Sequence, residues 1–329
     1  MKRKIVRVSA FIGMAIFAYI VYKIGPLQIW DNIKKITLIN FLILMFLRLL
    51  YWLLRTINWK SIFEQYEENT SLFHMYIARL CSHAVSQLNP SAQVGGEAAR
   101  IFLVHSSSKK ISLASVIVDK TIEFITVIFF TIIGVTIALT RIPIPGKLKI
   151  LFIGFVIGAS FFLLFILSKQ RKGLFNWIVH IMGKMKIRLK FLERNMEKVQ
   201  ETDKHISNFY QKHRRIFLKV FLLYSLLILL WTTEVHLTLL FIGAADISFM
   251  DSFLITTLGN LAFIFPLIPA SLGVYEVTYV ALFALLGKET DVGFTLVLIR
   301  RILALIWAGI GLLGMLKITP KKRQKLSRQ

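Results

Sequence analysis

Long unbroken apolar runs dominate the chain, with little of the two-residue alternation that marks a half-buried strand. A helix that crosses a bilayer needs about 20 mostly apolar residues. Six segments meet that length: Ile5 to Tyr22, Leu38 to Asn58, Leu113 to Leu139, Leu148 to Leu167, Ile216 to Phe241 and Val292 to Leu316. The first follows Met1-Lys2-Arg3-Lys4, the charged start of a signal peptide, but no small-x-small cleavage site comes after it, so it reads as a retained helix. Two more apolar regions, 71–105 and 250–287, are interrupted. The first break runs from Leu88 through Asn89, Pro90, Gly95 and Gly96 to Glu97; the second runs from Pro266 through Pro269 and Gly273 to Glu276. Such breaks free backbone groups that lipid cannot satisfy, so they belong inside protein or beside a water-filled cavity. Each interrupted region reads as two half-helices of a re-entrant hairpin; two plain spans joined by a surface turn is the other reading. The pattern predicts an all-α polytopic membrane protein with six spanning helices and two broken hairpins.

Composition agrees and removes other classes. Of 329 residues, 56% are hydrophobic and only 18% charged, against about 25% charged in soluble domains. An ordinary soluble enzyme, a disordered chain and a collagen-like repeat are excluded. Lys and Arg number 41 against 17 Asp and Glu, a formal charge of +24. That surplus fits either a nucleic-acid partner or the positive flanks of membrane helices, and its distribution decides. The N-terminus carries Lys2, Arg3, Lys4 and Arg7, and segment 168–215 holds thirteen Lys/Arg and four Asp/Glu. The tail carries six basic residues from Lys317 to Arg328 and no acid, whereas 242–291 has Lys288 against Asp246, Asp251, Glu276, Glu289 and Asp291. The positive-inside rule then places both termini and 168–215 in the cytoplasm. The charge is a topology signal, and no nucleic-acid partner is expected. The single cysteine, Cys81, lies in an apolar run and reads as a small buried residue.

The two breaks share a spacing. Pro90 precedes Glu97 by seven residues, Pro269 precedes Glu276 by seven, and the pairs are offset by 179. The same offset lays 38–57 over 217–236 and brings Lys120 within one place of Arg300. Residues 38–139 and 216–316 therefore read as two repeats of span, broken hairpin, span. In the topology above they have opposite orientation, the arrangement of many transporters. The whole chain, 1–329, reads as one membrane domain, with 168–215 as a basic connector too small for an independent catalytic domain. A helix is expected over about 188–212, in contact with anionic headgroups or simply solvated.

Charges left inside apolar runs mark pathways or paired networks. They are Arg48, Arg55, Arg79, Glu97, Arg100, Asp119, Lys120, Glu123, Glu234, Glu276, Arg300 and Arg301. Arg48 and Arg55 are nearly two turns apart and do not share one face perfectly. Snorkelling to the interface accounts well for Arg55, Lys120, Lys109 and Lys110. It accounts less well for Arg300, Arg301, Glu97, Glu276 and Glu234, and Glu97 and Arg100 lie three apart at the start of a half-helix, on one face. There the Gly95-Gly96 backbone would let a ligand approach closely, and free N–H groups with Arg100 would hold a phosphate. Glu97 would pair with an arginine or a headgroup amine. No Walker loop, dinucleotide fingerprint or G-x-S-x-G elbow is present, the seven histidines are scattered, and no cofactor or metal is expected. Transport, if it occurs, is then secondary or passive.

Three stretches resemble a known family: Leu54-Arg55-Thr56-Ile57-Asn58-Trp59; Asn89 to Arg100 followed by Ser115 to Glu123; and Pro269 to Glu276 followed by Gly287 and Arg300. They are similar to the flippase-like transmembrane region of lysylphosphatidylglycerol synthases, the multiple peptide resistance factor family, over about 38–316. Asp119-Lys120 stands where that family often has Glu-Arg, which keeps both charge signs. The resemblance implies movement of a lipid between leaflets. In the family a separate C-terminal domain transfers an amino acid from charged tRNA to phosphatidylglycerol, and this chain is expected to lack it. The expected function is therefore a flippase-like lipid transporter of the cytoplasmic membrane, not an enzyme. Its cargo would be a phospholipid or lipid-linked headgroup, aminoacylated or glycosylated forms included. Arg55, Asn89, Gly95, Gly96, Glu97, Arg100, Asp119, Lys120 and Glu123 would form the inner half of the headgroup site, and Pro269, Gly273, Glu276 and Arg300 the outer half. Two alternatives stand beside it. One is a lipid-modifying enzyme with Glu97 or Glu276 as general base; the other is an accessory partner of a glycosyltransferase or lipid synthase.

Overall fold

The computed structural model describes residues 19, 21–66, 68–88, 94–104, 106–170, 196–261 and 273–317. All regular structure among them is helical. Five helices are long and apolar enough to cross a membrane, which makes this a multi-pass membrane protein. They are α2 (Leu38–Phe63), α5 (Lys109–Arg141), α6 (Gly146–Gln170), α8 (Arg214–Phe241) and α11 (Thr290–Lys317). The sixth expected span, Ile5 to Tyr22, falls almost entirely outside the described residues.

Shorter helices fill the interrupted regions. The first region folds as α3 (Leu72–Leu88) and α4 (Val94–Leu103), the second as α9 (Phe249–Gly259) and α10 (Val274–Leu285). At 10 to 12 residues, α4, α9 and α10 extend about 15–18 Å, roughly half of the hydrocarbon layer. The helix expected over 188–212 is α7 (Met196–Lys212), with 188–195 outside the described residues. A short α1 (Pro26–Lys34) precedes α2.

Local chemistry sets several helix starts. Thr37 Oγ1 accepts from Asn40 N before α2, and Ser108 Oγ accepts from Lys110 N before α5. Before α9, Ser248 and Asp251 bond reciprocally in a capping box. Gly273 precedes α10 with φ +82°, a conformation a side chain resists, and its N–H donates to Glu276 Oε2 at 2.8 Å. At the end of α4, Lys109 Nζ donates to the carbonyls of Ile101, Phe102 and Val104. That lysine satisfies helix-end acceptors.

The helices cross in a definite pattern. α3 lies against both α4 and α11, α9 against both α10 and α5, and α2 against α8. Glycines set the closest approaches: a Cβ on Gly311 of α11 would collide with the Leu80 carbonyl of α3, and one on Gly134 of α5 with Thr257 of α9. Two large cores result. One joins Tyr51, Trp52, Leu80, Val118, Phe209, Tyr224 and Trp307; the other joins Leu44, Leu239, Ile255, Tyr279, Phe283 and Leu296. Leu42, Phe46, Ile150, Phe161, Leu222 and Leu313 point outward, as lipid-facing positions should. The sixth-numbered helix, α6, is apolar all round and barely buried, so it stands at the edge of the bundle.

Candidate functional site

Seven side chains from α2, α3, α4 and α5 form one chain of alternating charge. Arg55 Nη2 donates to Glu123 Oε1 at 2.5 Å. Glu123 meets Lys120 at 3.0 Å, Lys120 meets Glu97 at 2.9 Å, and Glu97 meets Arg100 at 2.8 Å. Arg100 Nη1 donates to Asp119 Oδ2 at 2.7 Å, and Arg79 Nη2 donates to the same oxygen at 2.8 Å. Tyr224 Oη, from α8, donates to Asp119 Oδ1 at 2.7 Å. The chain thus begins and ends on a cation.

Burial is graded along it. Asp119 is inaccessible, and the Arg79 and Arg100 side chains are nearly so, whereas Lys120 keeps 31%, Glu97 23% and Glu123 21% of their side-chain exposure. The reachable end is therefore the stretch Glu97–Lys120–Glu123. Trp59 backs the buried end, with Arg100 at 4.5 Å and Arg79 at 5.5 Å from its ring centroid. Its indole N–H is satisfied by Ser115 Oγ at 3.1 Å. Aromatic faces attract guanidinium groups and add to each pairing. Asp119 lies ten residues into α5, about 15 Å along the helix from its start.

A second cluster is built from α2, α8, α10 and α11. Arg48 pairs with Glu234 at 2.7 Å, and Arg301 Nε donates to Glu276 Oε1 at 2.6 Å. Arg300 Nη1 donates to Tyr279 Oη at 2.8 Å, and Tyr275 Oη bonds Tyr279 Oη at 3.0 Å. Trp231 sits between two arginines, at 4.6 Å from Arg300 and 5.5 Å from Arg48. Arg300 lies ten residues into α11, about 15 Å from its start.

Most of the expected inner-half residues are brought together: Arg55, Glu97, Arg100, Asp119, Lys120 and Glu123 are all in the charge chain. Arg55 does not snorkel to an interface. It is 9% exposed, bonded to Tyr51 Oη and Glu123, so its charge is held inside the bundle. Lys120 likewise bridges two carboxylates. Gly96 also plays a different part from the one its sequence suggests. It is buried where a Cβ would strike Ser86 Oγ and the Ser82 carbonyl, so its missing side chain lets α4 close on α3. Gly95 is the second residue of α4. Asn89 and Pro269 lie outside the described residues. In the outer half Glu276 and Arg300 are both buried but not paired with each other; Glu276 takes Arg301 and the Gly273 amide instead. Both carboxylates that would serve as a general base, Glu97 and Glu276, are engaged by cations.

The residues expected at the site do not include Trp231, Tyr224 or Tyr279, nor Arg48, Arg79, Glu234 or Arg301, and Trp59 enters the sequence reading only within a stretch that carries the family resemblance. One signal was present: on α2, Arg48 and Arg55, and Trp52 and Trp59, each recur at seven residues. That places an arginine–tryptophan stripe along one side of the helix. Tyr224 carried no such signal, being one aromatic in an apolar run.

Two comparisons with known proteins bear on this arrangement. A UPF0104 membrane protein of Methanothermobacter thermautotrophicus is 25% identical over 310 residues, covering 89% of each chain. The family described as the lysylphosphatidylglycerol synthase TM region matches residues 6–311, which include every residue of both clusters. The chain belongs to the lysylphosphatidylglycerol synthase transmembrane-region family.

Proposed function

We propose that this protein is a flippase-like transporter that moves the headgroup of a membrane lipid between leaflets. The observation that carries the reading is the alternating charge chain from Arg55 to Arg79 in the interior of an apolar bundle. Seven ionised groups are costly there, and intramembrane charges of this kind mark pathways. A network whose inner members each bond two neighbours can exchange a partner for a headgroup without leaving a charge bare. The headgroup would enter at Glu97, Lys120 and Glu123, the accessible stretch, while its acyl chains stay in lipid.

The architecture supports passage through the midplane. Starts of α2, α3, α4 and α5 at 38, 72, 94 and 109 are answered by α8, α9, α10 and α11 at 214, 249, 274 and 290. Contacts follow the same correspondence: α3 with α11 is matched by α9 with α5. We read these as inverted repeats, 38–139 and 216–316, that interlock through their broken hairpins, with the 168–215 connector and both termini in the cytoplasm. The membrane is the cytoplasmic one, and a lipid synthase or glycosyltransferase is a fitting supplier of the cargo.

The test is a leaflet-exchange assay in liposomes with labelled lipids that co-purify with the protein. Glu97→Ala and Arg100→Ala should each abolish exchange while the protein still inserts. Wild-type exchange rates in both variants would remove the assignment.

A further inference from the structure

Resting on that transport reading, we infer that the headgroup accepted is a lipid-borne phosphate of net charge −1, not a zwitterionic or aminoacylated one. The two buried clusters carry the argument. The inner one has four cations, Arg55, Arg79, Arg100 and Lys120, and three carboxylates, Glu97, Asp119 and Glu123. The outer one has three cations, Arg48, Arg300 and Arg301, and two carboxylates, Glu234 and Glu276. Each half therefore holds one positive charge more than it neutralises. The two breaks cannot correct this, because 89–93 and 262–272 contain no Lys, Arg, Asp or Glu.

The surplus has an address in the outer half. Each of the five carboxylates has a cation within 3.0 Å. Arg300 pairs with no carboxylate among the described residues. It is 4% exposed, and among the described residues it donates to the neutral Tyr279 hydroxyl, while the carboxylate whose charge reaches it, Glu234, is already paired with Arg48. A guanidinium held this way, over the faces of Trp231, Tyr275 and Tyr279, shares Glu234 with Arg48 and has no carboxylate of its own among the described residues. Burying an uncompensated charge is unfavourable, and an arriving phosphate oxygen would relieve it with the fork geometry that suits guanidinium. In the inner half the same surplus sits at the ends of the chain, on Arg55 and Arg79. A singly charged phosphate balances either half in turn. A zwitterion brings an ammonium that cancels its own phosphate and leaves the surplus in place, and a lysylated headgroup brings two and adds to it.

The full chain is reconstituted in phosphatidylcholine nanodiscs doped equally with phosphatidylglycerol, phosphatidylethanolamine and lysylphosphatidylglycerol. Lipid retained through detergent extraction is then quantified by mass spectrometry. Phosphatidylglycerol should be enriched about tenfold over phosphatidylethanolamine, the scale of one charge-assisted bond. Arg300→Gln should lose most of that enrichment, and Arg300→Lys should keep part of it. Inorganic phosphate that displaces the lipid identifies a site for the anion itself; retention unaffected by phosphate identifies the lipid as the source. Equal retention of the three lipids by wild-type protein, or a preference for the lysylated one, overturns the inference without any variant having to fold. Leaflet exchange that persists without anionic preference removes this inference and leaves transport standing. Anionic retention without exchange does the reverse.

Discussion

Asp119 shows what a single buried carboxylate must have around it. Three donors from three other helices, Arg79, Arg100 and Tyr224, converge on its two oxygens within 2.8 Å. Replacing Asp119 with Asn leaves two guanidinium groups buried with too little negative charge, a change worth about 3–5 kcal/mol. Tyr224→Phe removes one bond to an ionised acceptor and leaves the ion pairs, so its cost is about 1.5–3 kcal/mol. Thermal unfolding in detergent should therefore rank wild type above Tyr224→Phe, and Tyr224→Phe above Asp119→Asn; the opposite order would show that Tyr224, not the arginines, governs the site. At this scale the sequence was legible where charge stands out against an apolar run. Glu97, Arg100 and Asp119 announce themselves, because a charge in lipid needs a reason. Tyr224 does not, because a tyrosine on an apolar helix looks like any other core aromatic until its hydroxyl finds Asp119. Arg300 and Glu276 were both visible, yet the adjacent Arg301 took the carboxylate, a choice set by helix rotation that residue spacing does not record.

Elements are held together by close glycine contacts on some faces and left free on others. A leucine at Gly311 must push α11 off the Leu80 backbone of α3, and overpacking of this kind costs about 1–3 kcal/mol or more. Gly154 of α6 has nothing within 4 Å, so Gly154→Leu should leave the melting temperature nearly unchanged. Equal losses in the two variants would place α6 inside the packing, against its lipid-facing surface. Outside the membrane, the turn after α8 is tied to the turn after α10 by Lys288 Nζ, 2.7 Å from Asp246 Oδ2. That hydrogen bond holds the Asp246 carboxyl below the usual carboxylate range. A lowered folded-state value means the tie is complete above the unfolded pKa of about 3.9 and is lost as pH falls through the folded value. The difference in melting temperature between wild type and Asp246→Asn should thus be constant from about pH 6 to 8 and shrink below about pH 4. A difference that grows on acidification would contradict the assignment. The long spans were legible from length and hydropathy, and the half-helices from Pro and Gly in otherwise apolar regions. The crossing of α3 with α11 was not, because periodicity reports which face of a helix is apolar and not which partner covers it.

For the whole molecule, orientation is the property on which the transport reading depends. Inverted repeats require that α3 and α9, the first arms of the two hairpins, begin on opposite sides of the membrane. In the fold α3 runs beside α11 and α9 beside α5, so the first arm of each hairpin packs against the last helix of the other half. The helix α7, which carries three lysines against three acids, packs against α5 and α8, with Lys110 paired to Glu201. The chain offers a simple way to read sidedness. Its one cysteine, Cys81, is fully buried and donates to the Gly311 carbonyl, so it should resist a membrane-impermeant maleimide. Single cysteines introduced for Ser71, just before α3, and for Phe249, at the start of α9, both lie at exposed positions. In intact cells the Phe249→Cys variant should label from outside, and Ser71→Cys should label only after the membrane is opened. Labelling of both from one side would mean that the hairpins enter in parallel. The paired clusters would then not face each other across the midplane, and a headgroup released by Glu97 and Lys120 would have no matching site near Arg300 to receive it.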